Sequence, residues 1–155
     1  MRLGSKREQF YREVSEAMSM NGMRSFIDLQ TLRVEIHPGT DSLFLDEKDP
    51  AEEVLNNPDR FLPVEAIRSS ESYQIMVDFA EGLKEKKTQT KLIQALEGKK
   101  PFANFKVVTD NSPVKQAWFD FRDNAYIGIA KQWIDNNAPD ELKEKVKSLP
   151  AVFVV

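Results

Sequence analysis

The sequence predicts an α+β fold, predominantly helical, with a small antiparallel sheet of about three strands. Three observations lead there. Polarity alternates residue by residue only within positions 24–67, apolar residues recur at helical spacing over 69–148, and proline, glycine and asparagine punctuate the segments between. A single domain over 1–155 is expected. A chain of this length buries roughly 70% of its unfolded surface, and ten Phe, three Tyr and two Trp supply apolar area for a core.

From Ser5 onward, Phe10, Val14, Ala17 and Met18 form the stripe of an amphipathic helix that should end near Asn21-Gly22. Two short strands follow, Phe26-Ile27-Asp28-Leu29 and Arg33-Val34-Glu35-Ile36. A tight turn at Gln30-Thr31-Leu32 pairs them, and His37-Pro38-Gly39 should stop the second. Residues 38–63 hold four of the eight prolines and most of a run of acids, which predicts an acidic loop over 38–60 with one helical turn around Ala51 to Asn56. Phe61 to Ile67 has the branched residues of a third strand, and Pro63, lacking an N–H, suits an edge or a strand's start.

Ser69 or Ser70 is placed to cap a helix on which Tyr73, Met76, Val77, Ala80 and Leu83 share a face. Thr88 suits the cap of the next, which carries Leu92, Ile93 and Leu96 and ends at Gly98. Pro101 then opens a short helix over 101–109 with Phe102 and Phe105. Ser112 and Pro113 restart the chain as a longer helix through Asn136, its apolar face built from Ala117, Trp118, Phe121, Ala125, Ile129 and Trp133. After Asn137-Ala138-Pro139 comes a charged helix. The apolar tail 149–155 should add a strand to the sheet or to a partner, and tail exchange or edge pairing would make a homodimer.

Cysteine is absent, which removes disulfides, thiolate metal sites and cysteine nucleophiles and suits a reducing compartment. The charged start Met1-Arg2-Leu3-Gly4-Ser5-Lys6-Arg7-Glu8 is unlike a secretory signal, and no window is apolar enough to span a bilayer. A cytoplasmic protein without membrane contact is expected. His37 is the lone histidine, without a second histidine or cysteine to complete a metal site, and no Gly-x-Ser-x-Gly elbow exposes a nucleophile. Six glycines lie too far apart to cradle phosphate. Asp46, Glu47, Asp49, Glu52 and Glu53 lack the spacing and central glycine of a calcium loop and read as a solvated acidic stretch. No catalytic residue, cofactor or metal is assigned.

Net charge is −3, too small to steer the whole molecule toward nucleic acid or anionic lipid, but its distribution is uneven. Residues 41–60 carry seven acids against Lys48 and Arg60, whereas 84–106 carry seven lysines against Glu85 and Glu97. Lysines in that second segment interleave with Phe102 and Phe105, a pattern that would hold phosphates and stack bases, or would simply be the solvated side of a buried helix face.

The stretch Ala95-Leu96-Glu97-Gly98-Lys99-Lys100-Pro101-Phe102-Ala103-Asn104-Phe105-Lys106, followed by Trp118-Phe119-Asp120-Phe121-Arg122-Asp123, resembles a bacterial uncharacterised protein family with an A-L-x-G-x-x-x-F-x-x-F-K and W-x-x-F-R-D core. Phe26-Ile27-Asp28-Leu29-Gln30-Thr31 is similar to that family's early L-D-x-x-T strand and turn. Met76-x-x-Phe79 and Trp133 also fall in place. The resemblance covers residues 25–135 and departs from the family at Leu32, where a glycine usually follows the turn threonine. It implies a bacterial origin and no assigned activity.

Two functional expectations of different kinds follow. The first is a non-enzymatic protein-interaction or regulatory module with an unidentified protein partner; the second is a nucleic-acid-binding accessory protein using segment 84–106. An enzyme with carboxylate or oxygen-ligand chemistry ranks behind both. Lys86, Lys87, Lys99, Lys100, Lys106 and Arg122 are the candidate interaction surface. Arg122 is also expected to stack on an aromatic ring while meeting an acid such as Asp123 in a half-buried ion pair.

Overall fold

A helix needs its first N–H groups satisfied, and Ser5 does this with Oγ, which accepts from the Glu8 N–H at 3.1 Å. The helix it opens, α1 (Lys6–Ser19), is the first element of a computed structural model that describes residues 5–20, 22–38 and 56–150. Phe10, Val14, Ala17 and Met18 are buried along it, as their spacing predicts. The helix ends at Ser19, short of Asn21-Gly22, and Gly22 turns the chain at φ 79, a conformation costly for other residues. Most of the predicted acidic loop, the helical turn around Ala51 and tail residues 151–155 lie outside the described residues.

Strands β1 (Met23–Asp28), β2 (Val34–Pro38) and β3 (Phe61–Pro63) form one antiparallel sheet in the order β2-β1-β3. Ile27 pairs with Val34 on one side and with Leu62 on the other. Because β1 is central, Ser25, Phe26, Ile27 and Asp28 are all buried, and the expected alternation of exposure disappears. β2 runs through His37 to Pro38 rather than stopping before them; Pro38 is the last pair of an edge strand, where a missing N–H costs little. β3 is shorter than the sequence suggests. After Pro63 only the Val64 N–H reaches β1, at 2.9 Å from the Ser25 carbonyl, and residues 64–68 leave the ladder.

Helices α2 (Ser69–Glu81), α3 (Lys86–Glu97), α4 (Pro101–Asp110), α5 (Lys115–Asn137) and α6 (Asp140–Lys147) follow. The fold is α+β, predominantly helical with a three-stranded antiparallel sheet. Two predicted caps are corrected. Arg68, not Ser69 or Ser70, precedes α2, and its N–H is taken back by Glu71 Oε1 at 3.1 Å. Glu85, not Thr88, caps α3, leaving Thr88 buried inside the first turn. α5 begins two residues later than predicted because Pro113 and Val114 are still in a turn, with the Val114 N–H held by Ser112 Oγ at 3.3 Å.

The chain divides into two compact units, one drawn from Met1–Ala66 and Tyr126–Val155, the other from Ile67–Ala125. In the first, α1 packs on β1, β2 and α6, and Phe26 clusters with Phe61. Lys145 Nζ donates to the Leu29 carbonyl at 2.6 Å, and the Arg7 N–H donates to the Pro150 carbonyl at 3.2 Å. The Arg7 guanidinium also donates to the carbonyls of Lys147 and Leu149, which ties the end of α6 to the start of α1.

In the second unit α3 packs on α2 and α4 around an aromatic core. Phe105 meets Trp118 edge-on at 4.8 Å, and Phe79 lies against Trp118 at 5.3 Å and Phe121 at 5.4 Å. The buried face of α2 is Ile75, Phe79 and Ala80, rotated from the predicted one, of which Tyr73, Met76, Val77 and Leu83 are half-buried. Phe102, assigned to a buried face by its spacing, stands 40% exposed with its edge toward Tyr73. The single apolar face predicted for α5 does not hold either. Trp118 is buried near its start, while Ala117 and Phe121 are exposed; farther along, Ala130, Trp133 and Ile134 are buried in the other unit.

Candidate functional site

Helix α3 starts on a carboxylate. Glu85 Oε2 accepts from the Thr88 N–H at 2.8 Å and Oε1 from the Lys87 N–H at 3.2 Å. Hydrogen bonding from Thr88, side chain and backbone, pulls the Glu85 carboxyl below its ordinary pKa, and the N–H and charge of Lys87 add to this. Glu85 is therefore an anion at neutral pH. Two and six residues on, Lys87 and Lys91 stand one turn apart on the same helix face.

These three side chains form one wall of a groove of about 500 Å³ within the second unit, and Thr88 completes that wall. The opposite wall comes from the end of α4 and the turn after it, with Val107, Val108, Asn111, Ser112 and Pro113. Val107 is 60% exposed and gives this wall its apolar surface. Polar groups on this side are already engaged, since Asn111 Nδ2 donates to the Val107 carbonyl at 2.8 Å and Ser112 Oγ donates to the Thr109 carbonyl at 2.9 Å. Among the described residues neither Lys87 nor Lys91 forms an ion pair. The groove thus offers an apolar strip, two ammonium groups outside any salt bridge among the described residues, and one carboxylate at its end.

Of the six candidate residues, only Lys87 lines this groove. Lys86 lies beside it on α3, exposed. Lys99 and Lys100 are exposed in the connection between α3 and α4, where Lys100 adopts φ 53 and the Lys99 carbonyl accepts from Asn104 Nδ2 at 2.7 Å. Lys106 is 3.9 Å from Asp110, which Lys115 also approaches at 3.9 Å, so its charge is partly answered. Arg122 does stack on a ring and meet an acid: its guanidinium lies 5.0 Å from the Phe119 ring centre and 3.1 Å from Asp123. The acid-bearing end is open to solvent, with the two side chains 36% and 52% exposed, so this pair is a surface feature. Sequence reasoning missed Lys91 as a partner of Lys87 and missed Val107 altogether. The i,i+4 lysine spacing was a usable signal; the exposure of Val107 was not.

A second polar cluster, around Asp28 in the first unit, is fully engaged internally. Arg60 and the N–H groups of Gln30 and Thr31 satisfy its carboxylate. Among the described residues no three His, Cys, Asp or Glu side chains gather to hold a metal ion, and no helix is long and apolar enough to cross a membrane.

Comparison with known proteins adds a family. The profile of the uncharacterised protein family UPF0158 matches residues 17–151. The chain belongs to UPF0158. A UPF0158 protein of Pseudomonas aeruginosa is 25% identical over 128 residues, covering 81% of this chain and 80% of that one. No solved structure matches. The UPF0158 match reaches beyond residues 25–135 at both ends, taking in the last turn of α1 and all of α6. In this UPF0158 chain the aromatic residues that carry the resemblance, Phe105, Trp118 and Phe79, are core, so that part of the pattern is explained by packing.

Proposed function

We propose that the protein is a non-enzymatic interaction module whose helical unit receives an acidic segment of a partner protein in the groove between α3 and α4. The observation that carries this reading is the exposed Val107 facing a wall with two lysines outside any salt bridge among the described residues. An apolar strip beside two such lysines suits a segment that brings apolar side chains and carboxylates together. A groove of this size holds a few side chains, which fits a short segment better than a folded surface.

One observation favours a nucleic-acid reading: Lys86, Lys87, Lys99 and Lys100 are all exposed. Against it, segment 84–106 has no arginine, Lys106 is shared with Asp110, and Glu85 places a negative charge in the groove, where it repels phosphate.

Peptide display against the full chain separates the readings. The interaction module predicts enriched peptides that bind wild type and lose binding to Val107→Glu and to Lys87→Glu/Lys91→Glu, with circular dichroism unchanged. Failure to enrich any peptide, or binders indifferent to both variants, overturns it. Oligonucleotide binding that strengthens at low salt and disappears in the lysine variant would put the nucleic-acid reading in its place.

A further inference from the structure

Along α3 the groove presents charges in the order negative, positive, positive, from Glu85 through Lys87 to Lys91. The two lysines are four residues apart, so their stems leave the helix on one face and separate by about one turn. A segment that answers both ammonium groups at once must carry two carboxylates at the same interval. In an extended chain, side chains on one face repeat every ~7 Å, with neighbours pointing away; in a helix, i and i+4 carboxylates repeat every ~6 Å, with apolar residues at adjacent i+3 and i+7 positions. Only the helical arrangement sets an apolar stripe directly beside the acid pair, where Val107 and Val108 line the facing wall.

Building on the interaction-module reading, we infer that the occupant of this groove is an acidic amphipathic helix of a partner protein, its two carboxylates one turn apart on Lys87 and Lys91 and its apolar stripe on Val107, with Glu85 fixing its register. Glu85 does this by exclusion. Its carboxylate is held in place by the first-turn N–H groups of α3, so it has no freedom to swing away from an approaching acid. Glu85 stands two residues before Lys87, so a partner helix shifted toward the start of α3 carries its leading acid off Lys87 and past Glu85 and leaves Lys91 unanswered. Two attractive contacts and one repulsive contact therefore specify a single alignment.

The test uses the full chain and designed peptides of roughly 15 residues, long enough for helix to begin to persist in water. The first carries two glutamates one turn apart beside a leucine stripe. A second has the same composition with the glutamates on opposite faces, and a third has lysines in place of the glutamates. A fourth adds one more glutamate just before the one that meets Lys87, on the side of Glu85. Fluorescence anisotropy should show the first binding roughly tenfold tighter than the second, and Lys87→Glu/Lys91→Glu should transfer the preference to the third. Glu85→Gln keeps an acceptor at the cap while removing the charge, and it should restore binding of the fourth peptide to the level of the first. Equal binding of the first two peptides, or no exchange of preference in the lysine variant, overturns the inference. If display binders still require Val107, the groove reading survives that result; if display yields none, both fall.

Discussion

Arg60 grips Asp28 with two nitrogens, Nε to Oδ1 at 3.2 Å and Nη2 to Oδ2 at 2.9 Å, across the pairing of β1 and β3. The same carboxylate accepts from the Gln30 N–H at 2.9 Å, which shapes the turn into β2. One buried acid thus holds both neighbours of the central strand. Asp28→Ala should cost about 3 kcal/mol, since it strands a guanidinium and turn N–H groups together. Arg60→Ala should cost about 2 kcal/mol, and the double variant less than the sum. Urea unfolding of the three variants checks this.

The pair also sets a pH dependence. Hydrogen bonding to Arg60, aided by the backbone of Gln30 and Thr31, lowers the Asp28 carboxyl from its ordinary 3.8 to about 2. Because the folded value lies below the unfolded one, the unfolded chain binds the proton first as pH falls. The stabilisation is complete above about pH 5 and fades toward pH 2, amounting to about 2 kcal/mol. The gap in urea midpoint between wild type and Asp28→Asn should shrink across that window and stay constant above it.

Leu32 and Lys100 hold φ of 63 and 53, left-handed values that side chains with a Cβ occupy at a cost. Lys100 is exposed and gives up nothing else, so Lys100→Gly should raise stability by about 0.5–1 kcal/mol. At Leu32 the branched Val should lower stability, and Gly, the residue that the family resemblance leads one to expect there, should be tolerated. Thermal unfolding of the three single variants decides both points.

Phe102 and Phe105 sit one turn apart on α4 with opposite fates. Phe105 is 1% exposed and packed on Trp118, so Phe105→Ala should cost about 3–5 kcal/mol; Phe102→Ala should cost about 1 kcal/mol or less. Chemical denaturation of each variant measures the contrast.

How far the sequence could be read depended on whether neighbours had to be known. The stripe on α1 was legible because Phe10, Val14, Ala17 and Met18 need only one helix to define a face. Order within the hairpin was legible for the same reason, as alternation and a turn are local. Caps were not. Ser70 and Thr88 have the right chemistry, but the chain turns earlier, and Glu85 reaches the first N–H groups of α3. Faces failed where two cores compete, as on α5, and at Phe102, whose spacing fits a core it does not enter. Lysine enrichment pointed to the right segment, yet the groove needs Val107 on α4 against Lys87 on α3, a meeting no single-helix pattern contains.

The division of the chain has a consequence for its birth on the ribosome. The helical unit is one uninterrupted stretch, Ile67–Ala125, and is complete in the exit order of synthesis once that stretch has emerged. The sheet unit is split around it: the Leu29 carbonyl waits for the ammonium of Lys145, and Arg7 waits for the carbonyl of Pro150. The strands made first must therefore stay unsealed until Lys145 and Pro150 have emerged, after the whole of the helical unit between them has been made.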